Sequence, residues 1–387
     1  NDPWQTIAVP ASYNDQSPDP EFRRHYGMAY YRTRFTVPEG ARRVLRFDAV
    51  THNAAVRLNG EEIATHRGGF LPFEADITAL AQPGETVTLE VEVDNRIGHS
   101  TLPVGNEGGT DFFGSDNAGI PAVEAGKARQ QMQGVNLPNF DFFNYAGITR
   151  PVHLYTTPAA YIADIALAPA MDGTLDYKIN TIGDGLASIE ILNDEGKVVA
   201  DGKGESGTLH VEDPHLWQPR PGTPYLYTAL VKFGQDEYRQ QFGFRSVEVR
   251  GHQFLINGEP FYFKGPCKHD SAFRGRGYDA CVTVTDLKLY QWLNANCLRM
   301  SHYPYAEEVY DLCDRLGIVV IDETPAVGIG AGAACDPYKT FPLKAYHSAV
   351  LRAMIDRDKN HPCVVLWSLG NEPDTEHFPQ SAYDYWR

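Results

Sequence analysis

No uninterrupted apolar run in the 387 residues approaches the roughly 20 that a membrane-spanning helix needs, so no membrane is expected as a partner. Basic residues are scarce: 34 Lys and Arg stand against 50 Asp and Glu, a formal net charge of -16. No Lys/Arg-rich stripe is present to track a phosphate backbone, so nucleic acid is not expected either. The six cysteines (Cys267, Cys281, Cys297, Cys313, Cys335 and Cys363) form no Cys-x-x-Cys pair and no dense framework, which makes buried free thiols the expected state. The chain has no Asn-x-Ser/Thr sequon. Its first residues carry neither the basic nor the apolar segment of a secretory leader, and the compartment stays open because a cleaved leader leaves no trace. His-Glu-x-x-His, a nucleophile elbow and a phosphate loop are missing as well.

What is present falls into three regions, in line with the two to three domains expected for this length. Up to about residue 158, short strand-like segments are punctuated by turns. Val87, Leu89, Val91 and Val93 alternate with Thr88, Glu90 and Glu92, the pattern of a half-buried strand. Val44–Val50 and Ala54–Leu58 read as further strands, the second closing on the hairpin signal Asn59-Gly60. A β-sandwich is expected over 1–158, interrupted between Thr101 and Asn139 by a Gly-, Asn- and Pro-rich stretch too long for a plain connector. From 159 to 250 a second set of short strands, among them Ile189–Leu192, Val198–Ala200 and Tyr225–Phe233, fits an immunoglobulin-like sandwich. It offers no titratable cluster and reads as a spacer that positions its neighbours.

From 251 to 387 strands alternate with helices. Phe261–Lys264, Cys297–Met300, Ile318–Ile321 and Val364–Leu369 are the expected strands. Between them lie a helix capped at Thr285-Asp286 with Leu287, Tyr290 and Leu293 on one side, a helix with Val309, Leu312, Cys313 and Leu316 in step, and a helix over Leu343–Asp358. This succession implies a parallel sheet, doubly wound or part of a (β/α) barrel, whose ligands bind at the carboxyl ends of the strands. Those ends are Lys264-Gly265, Ser301-His302, Asp322-Glu323 and Asn371-Glu372, so every apolar run stops at a group able to hydrogen-bond or transfer a proton. Glu372 follows an apolar run and precedes Pro373. It reads either as a partly desolvated carboxyl with the raised pKa a general acid needs, or as a solvated loop carboxylate. Gly328-Ile-Gly330-Ala-Gly332-Ala333 nominally matches a dinucleotide turn, but it follows the third strand and reads as a loop. Glu307 and Glu308 beside His302 suit the positive end of a helix better than a metal ion.

Several segments together resemble β-glucuronidases of glycoside hydrolase family 2. They are Val9-Pro-Ala-Ser-Tyr-Asn-Asp-Gln16, Phe47-Asp-Ala-Val-Thr-His52, Asp141-Phe-Phe-Asn-Tyr-Ala-Gly147, Ser301-His-Tyr-Pro-Tyr-Ala-Glu-Glu308, Ile321-Asp-Glu-Thr324, Asn360-His-Pro362 and Trp367-Ser-Leu-Gly-Asn-Glu-Pro373. The resemblance implies a jelly-roll sugar-binding domain, an immunoglobulin-like β-sandwich and the first half of a TIM (β/α)8 barrel. It implies retaining hydrolysis of a β-D-glucuronide, with Glu372 as acid/base, Asn371 on the sugar 2-hydroxyl, and His302 and Asp141 on other sugar hydroxyls. Arg299 is expected only as a support residue. No cofactor and no metal are implied, because two carboxylates and water suffice. A β-galacturonidase, a β-galactosidase or a non-catalytic carbohydrate-binding protein is the alternative. The short segment between Thr324 and Leu343 suggests an open mouth tolerant of bulky aglycones. Because a barrel has eight strands and a retaining enzyme two carboxylates, a C-terminal half of the barrel carrying the nucleophile is expected to complete the fold, and a homo-oligomer is expected from the family.

Overall fold

The computed structural model of the chain describes residues 4–98, 100–104, 136, 143–272, 275–327 and 343–371. Most of the expected Gly-rich segment before Asp141, Asp141 itself, the loop at 328–333 and Glu372 lie outside the described residues. So does most of the short segment after Thr324.

The first region is a sandwich of two antiparallel sheets. Strands Met28–Thr36, Thr86–Asp94, Asn53–Leu58 and Glu61–Arg67 lie side by side in one sheet, and Phe73–Asp76, Arg42–Phe47 and Val152–Thr157 form the other. The alternation in the sequence sets the faces: Val87, Leu89, Val91 and Val93 are buried in one core with Leu45, Phe47 and Val56. Asn59 and Gly60 take positive φ values of 52° and 89°, as the hairpin between Asn53–Leu58 and Glu61–Arg67 requires. The expected continuous strand Val44–Val50 is instead two, Arg42–Phe47 and Val50–Thr51, paired with different partners. Asp48 breaks the run because its carboxylate accepts from Arg46 Nε and interacts with His153 Nε2.

A second sandwich follows, with sheets Tyr161–Pro169, Thr174–Ile182, Ser206–His210 and Val198–Lys203, Ala187–Leu192, Tyr227–Phe233, Asp236–Phe242. Its core is Ile189, Ile191, Val231, Phe233, Phe242 and Phe244 among others. Several contacts fasten it to the third region, among them an ion pair of Lys359 with Asp164 and bonds from Arg245 to the Pro362 and Val364 carbonyls. Trp217, fully buried, donates its indole N–H to the Asp314 carbonyl at 2.8 Å, and Asn360 mimics a strand edge by bonding both Leu167 N and Ile165 O.

In the third region four parallel strands, Cys267–Lys268, Cys297–Met300, Val319–Glu323 and Val364–Ser368, lie in sequence order with helices Ala280–Trp292, Glu307–Leu316 and Leu343–Asp358 between them. Two expectations need correction. Residues 261–264 do not join the ladder. Asn296 takes its place, accepting from Lys264 N and donating to Tyr262 O, and the chain enters the sheet only after Pro266, at Cys267. The first helix starts not at Thr285-Asp286 but at Ala280, because Asp279 caps the amides of Cys281 and Val282. Leu293, expected on its apolar side, is the exposed C-cap. Among the described cysteines, Cys297, Cys313 and Cys363 are buried as expected, whereas Cys267 and Cys281 are exposed.

Candidate active site

The register of the parallel ladder brings three side chains to one face of the sheet near the strand ends. Arg299 sits opposite Ile321 on the neighbouring strand, and Glu323 sits opposite Ser368 on the next. Arg299 donates from Nε (2.8 Å) and Nη2 (2.6 Å) to Glu323 Oε2, and Ser368 Oγ donates to the same oxygen at 2.6 Å. The other carboxylate oxygen lies 2.6 Å from His302 Nδ1. Asn371, just past the fourth strand, is pinned by its backbone N–H to the Ala326 carbonyl, and its Oδ1 accepts from Arg299 Nη2 at 3.2 Å. Three side chains, Arg299, Ser368 and His302, thus converge on one carboxylate that is 0% exposed, and Asn371 joins them through Arg299.

Strand alternation sends the adjacent acids Asp322 and Glu323 to opposite faces, and their surroundings treat them oppositely. Burial alone would raise the Glu323 pKa, but the hydrogen bonds from His302 and Ser368 and the charge of Arg299 outweigh it and hold the carboxyl below its ordinary value. Asp322 is raised well above the carboxylate range by burial and by the Asp358 charge beside it, and it accepts from the Tyr310 hydroxyl at 2.7 Å. A charged Glu323 can only accept, so Nδ1 of His302 carries the proton. A guanidinium can only donate, so the Asn371 amide presents its oxygen to Arg299 and leaves Nδ2 as its donor.

A second wall comes from the first sandwich. Tyr303, next to His302, stacks on Phe70 with ring centroids 4.4 Å apart, and its hydroxyl lies 3.2 Å from His269 Nδ1 and accepts from Arg276 Nη2 at 3.0 Å. His269 stands edge-on to His302 at 5.6 Å. Arg150, buried, donates to the Phe70 carbonyl at 2.6 Å and to the Pro304 carbonyl at 2.5 Å, tying the loop after the second strand to the sandwich. Glu307 pairs with Arg46 of the same sandwich.

Of the four residues singled out in the sequence, His302 and Asn371 are therefore brought together through Arg299 and Glu323, while Glu372 and Asp141 lie outside the described residues. Glu323, Ser368 and His269 were not selected as site residues. The signal for Glu323 was in view: two acids end an otherwise apolar strand, so at least one needs a buried cation, and Arg299 on the strand before sits opposite Ile321, on the same face as Glu323 two residues on. Elsewhere in the barrel, Asp311, Asp314 and His361 bring metal-type ligand atoms within 4.8 Å of one another, but the Asp314 carboxylate is already taken by His361 Nδ1 and the Cys363 amide.

Family models match the chain in consecutive blocks: the sugar binding domain of glycosyl hydrolases family 2 over residues 2–158, a further domain of that family over 160–245, and its TIM barrel domain over 247–387. A β-glucuronidase from Paenibacillus borealis is 43% identical over 402 residues, covering 98% of this chain and 64% of that protein. The human β-glucuronidase is 40% identical, with 98% of this chain and 60% of that protein covered. Among solved structures, a Faecalibacterium prausnitzii β-glucuronidase superposes with a TM-score of 0.90 at 60% identity, covering 99% of this chain and 65% of that one. A Bifidobacterium dentium β-glucuronidase complexed with coumarin-3-O-glucuronide gives 0.86 at 48% identity, covering 98% and 65%. The chain thus spans 60–65% of the length of these relatives.

Proposed function

The chain belongs to glycoside hydrolase family 2, and from that membership and the site geometry we propose that it supplies the acid/base side of a retaining β-D-glucuronidase. The observation that carries this reading is the convergence of His302 and Arg299 on the buried Glu323 at the carboxyl ends of the parallel strands, with Arg299 also holding Asn371, the neighbour of Glu372 in the chain. Glu372 protonates the departing glycosidic oxygen and then, as a base, activates the water that releases glucuronic acid. Asn371 holds the sugar 2-hydroxyl, a contact that strengthens as the oxocarbenium-like transition state forms. His302 and Asp141 bind other hydroxyls. The nucleophile and the residues that read the uronate carboxylate come from barrel strands beyond the four described, and the same reading divides the chain at 158 and 250 and includes a homo-oligomeric enzyme. The relative whose complex contains a glucuronide supports the sugar assignment.

The test is Glu372→Gln in the full-length enzyme. Hydrolysis of aryl glucuronides with ordinary leaving groups is expected to fall by at least about 100-fold, the scale of a lost general acid; unchanged turnover overturns the assignment. Parallel rates on aryl glucuronide, galacturonide and galactoside decide the sugar.

A further inference from the structure

We propose that Glu323 is the positioning residue of the site, orienting Asn371 through Arg299 toward the sugar 2-hydroxyl and fixing the His302 ring at the same time. The inference rests on the glucuronidase reading above and deepens it. Glu323 cannot itself touch a substrate: it is fully buried, and both of its oxygens are occupied from within the protein. What it holds are the groups that do. Arg299 Nη2 is shared between Glu323 Oε2 and Asn371 Oδ1, so the place of the guanidinium on the carboxylate decides the orientation of the amide. With Oδ1 turned to Arg299, the Nδ2 donor is directed to a hydroxyl oxygen of the sugar. On its other oxygen, Glu323 fixes the His302 tautomer with the proton on Nδ1. One carboxylate thus coordinates the ends of the second and fourth strands. A glutamine there offers one accepting oxygen where the carboxylate offers two, so either Arg299 or His302 loses its partner.

A merely structural role and a positioning role differ in how the loss depends on the substrate. The readout is the change, from wild type to variant, in the ratio of kcat/KM for an aryl β-D-glucuronide to that for its 2-deoxy analogue on the full-length enzyme, a comparison in which differences in intrinsic reactivity between the sugars cancel. In Glu323→Gln this ratio is expected to fall about tenfold, as the contribution of the 2-hydroxyl contact disappears from the transition state. Arg299→Lys is the second variant: it keeps a cation beside Glu323 but offers one nitrogen to two acceptors, and it is expected to lower the ratio likewise. Equal losses on both substrates in a folded variant, or no loss, overturn the proposal. If neither variant folds, Glu323 is a folding residue and the proposal also falls. A wild-type enzyme inert on the glucuronide overturns the functional reading and this inference with it, whereas an active wild type whose ratio survives Glu323→Gln overturns only this one.

Discussion

His361 shows how a single side chain can couple stability to alkaline pH. Burial would lower its pKa, but the charge and hydrogen bond of Asp314, 2.6 Å away, outweigh burial and raise it to about 9. The folded state therefore binds its proton more tightly than the unfolded chain, where the pKa is about 6.5. This stabilisation is complete below pH 6.5 and is lost as the pH rises through 9, by up to about 3 kcal/mol. His52 and His347 act in the opposite sense. Burial lowers both to about 4, so their contribution is present above pH 6.5 and is lost as the pH falls toward 4. Melting temperatures followed from pH 6.5 to 9.5 should decline in the wild type, and His361→Gln should flatten that decline while lowering the starting value. A parallel decline in both proteins would show that another group is responsible. The Asn-His-Pro segment was legible in the sequence as part of a family signature. Its structural work was not, because Asp314 lies 47 positions away on a helix whose packing no periodicity reveals.

At the scale of elements, the helix over 280–292 is the clearest case of a start signal that competed with another. Thr285-Asp286 has the chemistry of a cap, but Asp279 is placed to accept from two amides, and Thr285 bonds back to the Cys281 carbonyl inside the helix. Asp279→Ala should destabilise the protein by about 1 kcal/mol and Thr285→Ala by much less, a difference readable in thermal midpoints; equal effects would restore the later start. The other helices and the strand Cys297–Met300 were legible because their apolar spacing has one reading: Glu307–Leu316 runs from acids at its start to Gly317 at φ 66°. The first barrel strand was misplaced because its apolar run, Phe261–Phe263, stops short of the ladder: Asn296 holds Tyr262 and Lys264 with its side chain and its amide, and paired register begins only at Cys267. In the site, the strand ends were legible, but the shared carboxylate was not, since parallel register is a property of the fold and not of any one segment.

Across the whole molecule, the first sandwich and the barrel meet at the loop that carries His302, while the second sandwich meets the barrel at Asp314 and Asn360. Arg150 alone satisfies carbonyls from two of these regions, Phe70 in the first sandwich and Pro304 in the barrel. Arg150→Met should leave both oxygens buried without a donor, costing about 2–4 kcal/mol, and should lower kcat on a glucuronide by loosening His302. Calorimetry and turnover on the same preparation check this, and a stable variant with full activity would show that the seam is passive. The identity of the architecture was legible because three runs of motifs occur in one order. The seam was not, because Phe70, Arg150 and Tyr303 carry no shared spacing.

Phe70 lies flat against Tyr303, one residue from His302, while Arg150 closes the same contact from behind. The sugar-binding sandwich is therefore not an interchangeable module. Recombination that exchanged this domain between two relatives would also exchange half of the support of a barrel residue, so the surfaces at Phe70, Arg150 and Tyr303 must diverge together. Inheritance of the site is shared between two domains that the chain order keeps apart.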